Sequence, residues 1–148
     1  MLRIRRILHA TDFSSASKRA LEIAVDFAKQ NKAELLLVHV LVPNLAYPAD
    51  SMDDPVLYIE IEKTTRRQAQ SQLEKLVSQI QKARVKVKGL LLRGTAHEQI
   101  VRAEKNRRAD MIVIGTHGRT GLKRLFTGSV AGRVVSEATT PVLTVRGK

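Results

Sequence analysis

The residues best placed to do chemistry are glycines and short hydroxyl or carboxylate side chains. The longest such pattern is Gly115-x2-Gly118-x9-Gly128-Ser129. A β-branched run, Ile112-Val113-Ile114, leads into it, and an apolar-periodic run beginning at Val130 follows it. That reads as strand, basic glycine loop, helix N-terminus, where open α/β sheets bind anions. Gly115 and Gly118 would let backbone approach a phosphate and allow positive φ. A helix opening at Gly128-Ser129-Val130 would leave its first N–H groups unpaired and pointing at the loop, and the Ser129 hydroxyl would add a donor. A second pattern is Ala10-Thr11-Asp12 at the end of the first predicted strand. Asp12 is an acceptor suited to ribose hydroxyls or to a metal ion carried by phosphate. Val40, ending the second predicted strand, would offer a base an apolar wall. Each has a plainer reading: the glycines as a tight turn, Ser129 and Asp12 as helix caps.

The elements that must position these residues follow from periodicity. Residues 4–10 read as a strand anchored by Ile4, Ile7 and Leu8. Leu21, Ala24, Val25 and Ala28 fall at helical spacing over 15–30. Residues 33–42 form a near-continuous apolar run, as a central parallel strand does. Residues 43–55 hold three of the four prolines and read as a surface excursion. Asp54-Pro55 is an N-cap with a first-turn proline. The helix it opens spans about 56–83, with Leu73, Leu76, Val77 and Ile80 as its buried stripe. Residues 85–93 alternate more and suit an edge strand. Thr95-x2-Glu98 fits a capping box, before a helix carrying Ile100, Val101 and Ala103 inward. Residues 110–114 form the fourth strand. Val130, Ala131, Val134, Val135 and Ala138 mark the last helix, and 140–146 a fifth strand. Alternating elements predict one three-layer Rossmann-like α/β domain over residues 1–148. Its parallel sheet has helices on both faces, joined by right-handed crossovers. With order 3-2-1-4-5, Asp12 and the glycine loop would flank the switch point and face one crevice.

Several known patterns fail. A P-loop needs Gly-Lys-Ser/Thr, whereas Leu122-Lys123-Arg124 follows Gly121. A dinucleotide fingerprint should follow the first strand, but residues 11–15 contain no glycine. A receiver-type site wants an acid cluster, and only Asp12 is placed for it.

The glycine spacing resembles the ATP-binding signature of the universal stress protein family. Ile7 to Ser14 resembles that family's opening strand and turn, and Thr139-Thr140-Pro141-Val142-Leu143-Thr144-Val145 its closing strand. The resemblance implies the order 3-2-1-4-5 and ATP, or ADP or AMP, as ligand, with Mg2+ or Mn2+ as accompanying ion. It places Asp12 at the ribose or metal-phosphate region, Val40 at adenine, and Gly115, Gly118, Gly128, Ser129 and Val130 at ribose and phosphates. Ala10 and Thr11 would lie beside adenine; relatives often carry proline where Ala10 stands. Ile114, His117 and Arg119 complete the nucleotide-binding set. It also implies a homodimer through the closing strand, from Thr140 to Arg146.

The remaining polar residues leave alternatives open. His117 could touch phosphate or lie exposed. Arg119, Lys123 and Arg124 could screen triphosphate charge or be solvated cations. His9 and His39, on predicted strands, read as buried and hydrogen-bonded, and His97 as exposed. No i, i+4 histidine pair suggests a metal site. The chain carries 26 Lys+Arg against 14 Asp+Glu, a formal charge of +12, which favours anionic partners without choosing one. The cations look scattered and aromatics make up only 3%, which argues against a nucleic-acid face. There is no cysteine, so disulfide and thiolate chemistry are excluded. No apolar run approaches the roughly 20 residues of a membrane span, and a cytoplasmic location is expected. The leading reading is a nucleotide-sensing regulatory protein of the stress response that signals to a protein partner through its dimer. The alternatives are a slow ATPase or phosphotransferase, lacking a second carboxylate to orient water, and a basic module for nucleic acid or anionic surfaces.

Overall fold

The computed structural model describes residues 1–43, 53–116 and 130–147. The described elements alternate as the sequence pattern predicts: β1 (Arg6–Ala10), α1 (Ser15–Asn31), β2 (Glu34–Leu41), α2 (Pro55–Lys82), β3 (Val87–Arg93), α3 (Ala96–Arg107), β4 (Met111–Gly115), α4 (Val130–Glu137) and β5 (Val142–Val145). The strands form one five-stranded sheet of order β3-β2-β1-β4-β5, all parallel. β1 is central, with Ile7 opposite Leu35 on one side and Met111 on the other.

Because both faces are covered, the inner strands are apolar throughout rather than alternating. Ile7, Leu35, Leu37, Met111 and Val113 pack under α1 and α2. Leu8, Leu36, Val38, Ile112 and Ile114 pack under α3 and α4. β3, at the sheet edge, is buried only at Leu90, as its alternation suggested.

Two helix starts are made by their caps. Ser14 Oγ accepts from Ser17 N at 3.2 Å, and Asp54 Oδ1 accepts from Val56 N and Leu57 N at 3.0 and 3.2 Å. The third differs from expectation. Thr95 occupies the N-cap of α3 but its side chain makes no capping bond, so the capping box marks the boundary without forming. The last helix differs too: Ala131 and Val134 are buried, while Val130 and Val135 are exposed. The eight-residue helix turns those two away from the sheet. β5 begins at Val142 rather than at the Thr140-Pro141 start expected for it.

The ends of α1, α2 and α3 share a feature. Each is followed by a left-handed residue that is not glycine: Lys32 (φ 52°), Arg84 (φ 61°) and Arg108 (φ 52°). A residue with a Cβ costs about 1 kcal/mol there relative to glycine.

Candidate functional site

The site is built first by the turn after β1. Thr11 N donates to Val38 O at 2.8 Å, so β1 stays paired with β2 to its end. The chain then reverses into α1 through Asp12-Phe13-Ser14. Phe13 takes φ 65°, an unusual conformation for an aromatic residue. Side chains hold the turn in that shape. Phe13 N donates to Thr11 Oγ1 at 3.0 Å, Ser14 N to Asp12 Oδ1 at 2.9 Å, and Ser17 Oγ to the same oxygen at 2.6 Å. The plain reading of Asp12 as a helix cap is corrected: Ser14 caps α1, and Asp12, two residues earlier, holds the turn through Ser14 N and Ser17 Oγ, which fixes where its carboxylate stands.

Next to this turn lies His39, on β2. Its Nδ1 donates to Thr11 O at 2.7 Å, and its ring lies 4.4 Å from that of Phe13 at an interplanar angle of 32°. His9 is buried one layer below, its Nδ1 donating to Val113 O at 2.9 Å. Both histidines are thus buried and hydrogen-bonded, as the strand pattern implied. Burial, the dominant cause, lowers the His9 pKa to about 4 against a gain from the Val113 carbonyl and the Asp12 charge. His97 departs from expectation: it is half-buried and meets Glu137 of α4 at 3.2 Å.

A cleft of about 510 Å³ opens at the carboxyl ends of the strands, within the range of small-molecule sites. Ala10, Thr11, Asp12, Val40, Ile114, Gly115 and Val130, seven of the residues singled out from sequence, all line it. The switch point between β1 and β4 thus brings the acidic turn and the end of β4 together. His117, Gly118, Arg119, Lys123, Arg124, Gly128 and Ser129 lie outside the described residues. The side of the cleft toward α3 and α4 is apolar, with Val40, Ile100, Ile114 and Ala131, and suits a flat ring. Among the described residues, no cluster of three or more acids or histidines could hold a metal ion.

Gly115 proves necessary for a different reason from the one its motif suggested. Positive φ among the described glycines occurs at Gly94, not here. A Cβ on Gly115 would meet Ala16 C and Ala16 O at 3.1 Å and Ser17 N at 3.3 Å. The glycine lets β4 close onto the first turn of α1, beneath the Asp12 turn. Since that neighbour is backbone, Gly115→Ala is expected to destabilise the fold by about 2 kcal/mol, read as an earlier urea midpoint with unchanged slope.

The opposite wall was not legible in the motifs. α2 has 28 residues, about 42 Å of helix, against about 26 Å for the eight residues of β2. Its first half overhangs the cleft. The stripe that is apolar at Leu73 and Ile80 becomes polar at Glu62, Thr65 and Arg66, which face the same space. Glu62 Oε1 meets Arg93 Nη2, at the end of β3, at 2.8 Å. Phe13, His39, Glu62, Arg66 and Arg93 are among the lining residues that sequence reasoning did not assign to the site. The signal available was a helix pattern too long for its sheet.

The comparisons with known proteins agree with this architecture. The model of the universal stress protein family matches residues 3–146. A universal stress protein of Thermus aquaticus is 34% identical over 142 residues, covering 96% of this chain and 98% of the relative. Universal stress protein MJ0577 of Methanocaldococcus jannaschii is 28% identical over 97% of this chain and 96% of its own. The solved structure of MJ0577 superposes with a TM-score of 0.85, covering 99% of this chain and 98% of that one. A universal stress protein from Archaeoglobus fulgidus, solved in complex with dAMP, shares the fold at 22% identity and a TM-score of 0.65, covering 98% of this chain and 99% of that one. With its family pattern spanning residues 3–146 and its sheet order matching, the chain belongs to the universal stress protein family.

Proposed function

We propose that the cleft binds an adenine nucleotide, ATP first among them, and that the protein is a nucleotide-responsive regulator rather than an enzyme. The observation that carries this reading is the convergence of Asp12, Val40, Ile114, Gly115 and Val130 on one cleft at the switch point. The base lies against Val40 and the apolar α3 side. The ribose, or a Mg2+ or Mn2+ ion riding on the phosphates, meets Asp12. The sequence signature assigns the phosphates to Gly118, Arg119, Gly128 and Ser129, with His117, all outside the described residues; glycine main chain there would supply N–H donors. The nucleotide complex of the Archaeoglobus fulgidus protein is compatible with this, but its low identity speaks for the fold alone. Hydrolysis is expected to be slow at best, since Asp12 is the acid placed to carry a metal ion and the second carboxylate lining the cleft, Glu62, is held by Arg93 at 2.8 Å rather than left to orient water. A homodimer through Thr140 to Arg146 would carry the bound state to a protein partner.

The test is calorimetry with ATP, with and without Mg2+, on the parent protein and on Gly118→Val and Gly128→Val. The parent should bind, and each valine should remove measurable binding by blocking approach of the main chain. Parent-like affinity in both variants would place the phosphates elsewhere. Mass spectrometry of nucleotide released from the purified protein would identify the resident ligand. Rapid phosphate release would overturn the non-enzymatic reading.

A further inference from the structure

The cations that look scattered along the chain are gathered by its topology. In a parallel sheet with crossover helices, every strand begins and every helix ends on the same side. That side is opposite the nucleotide cleft. Here the last helical turns bring Lys29 from α1, Lys82 from α2, and Lys105 and Arg107 from α3. The turns beyond them bring Lys32, Arg84 and Arg108, and the strand starts bring Arg5, Arg6 and Lys86. All of these side chains belong to exposed residues.

Acids do little to neutralise this end. Glu34 stands between Arg6 at 3.3 Å and Lys86 at 3.8 Å. Asp110 spends one oxygen on the backbone N–H groups of Arg5 and Arg6, at 2.7 and 2.9 Å. Glu104 is buried beneath the α4–β5 turn.

Complementing helix dipoles does not account for the pattern. That effect fades beyond the last turn, and Lys29, Lys82 and Lys105 already supply it. Lys32, Arg84 and Arg108 lie past those turns, each in a left-handed conformation where glycine is the favoured residue. Three equivalent corners of the fold carry a cation at a conformational penalty. Local rules broken together, with no gain to the fold, point to a function.

We propose that the amino-terminal end of the sheet is a docking face for double-stranded nucleic acid, bound through its phosphate backbone without base readout. Several features choose this partner. Guanidinium groups of Arg5, Arg84, Arg107 and Arg108 pair well with phosphate oxygens, while that of Arg6 is engaged by Glu34 and by Arg107 O at 2.9 Å. Phe27, the described aromatic residue of α1 near this end, is partly buried against the core, so the face lacks the stacking platform of single-strand binders. Of the large exposed apolar residues among those described, Met1 and Leu2 lie near it, a poor anchor below lipid headgroups. The face is separate from the cleft and does not depend on nucleotide binding there.

The experiment is fluorescence anisotropy with a mixed-sequence DNA duplex of about 20 base pairs, from about 50 to 200 mM salt. The parent is compared with the triple variant Lys32→Gly, Arg84→Gly, Arg108→Gly. Glycine suits those corners, so the variant should unfold at the same temperature or a higher one. Its duplex affinity should fall about a hundredfold at physiological salt, and its log–log salt slope by about 3. A second variant, Lys29→Gln with Lys82→Gln and Lys105→Gln, leaves the corners intact and should show a similar loss. Unchanged binding in both variants overturns the proposal, as does failure of the parent to bind duplex at low salt. Tighter binding to single strands, or to phosphatidylserine vesicles in preference to duplex, also overturns it.

Discussion

Glu104→Ala is expected to lower the stability of the fold by about 4 kcal/mol, the largest single-residue effect among those considered. Glu104 sits on α3 and is 1% exposed. Its Oε1 accepts from Thr139 N at 2.9 Å, Thr139 Oγ1 at 2.7 Å and Thr140 N at 2.8 Å. One carboxylate oxygen thus fastens the turn between α4 and β5 to a helix that precedes it by 35 residues. Bonds to a charged acceptor contribute more than neutral ones, and truncation leaves the part-buried N–H groups of Thr139 and Thr140 without this partner. Chemical denaturation measures the loss directly. A change below about 1 kcal/mol, the worth of one ordinary bond, would mean the turn holds itself. Glu104→Gln separates charge from shape: it keeps the amide oxygen as acceptor and should recover part of the stability.

Acid should weaken the protein through His9 before its carboxylates titrate. Burial holds the folded-state pKa near 4, against 6.5 for the free side chain. The folded value lies below the unfolded one, so neutral His9 contributes fully above pH 6.5. That contribution is lost as pH falls from 6.5 to 4, because only the unfolded chain takes up the proton in that window. The difference is worth about 3 kcal/mol at most. Urea midpoints measured at half-unit steps over pH 4–7 should fall with pH for the parent. The parent-minus-variant difference for His9→Gln should carry that slope, since glutamine keeps a donor for Val113 O but does not titrate. Parallel curves would show that the imidazole is not the titrating group.

Much of the architecture was legible because local patterns agreed with it. The apolar run of β2 and the stripe of Leu73 to Ile80 on α2 each had one consistent reading, and Asp54-Pro55 marked a real helix start. Part of the cleft lining was legible too, since Asp12 follows β1, and Val40, Ile114 and Gly115 stand at the ends of strands whose carboxyl ends meet. What escaped depended on distance in space. Glu104 looks like a charge intruding on a buried stripe until the Thr139-Thr140 turn is seen to cover it. Glu62 and Arg93 lie far apart in sequence and pair only because α2 outreaches the sheet. Gly115 was singled out for approach to a phosphate, whereas its close neighbour is the backbone of Ala16, which no spacing along the chain reveals. The cations were judged scattered because a linear reading cannot see that helix ends and strand starts meet.

The strand order has a consequence for how the molecule comes into being. β3, β2 and β1 are all synthesised before β4, which closes the second side of β1 only after about 100 residues of chain. Until then β1 presents a bare edge, the kind of template on which unfinished chains stick to one another. The cleft lies along this late seam. A ligand lodged there would knit the early half to the late half.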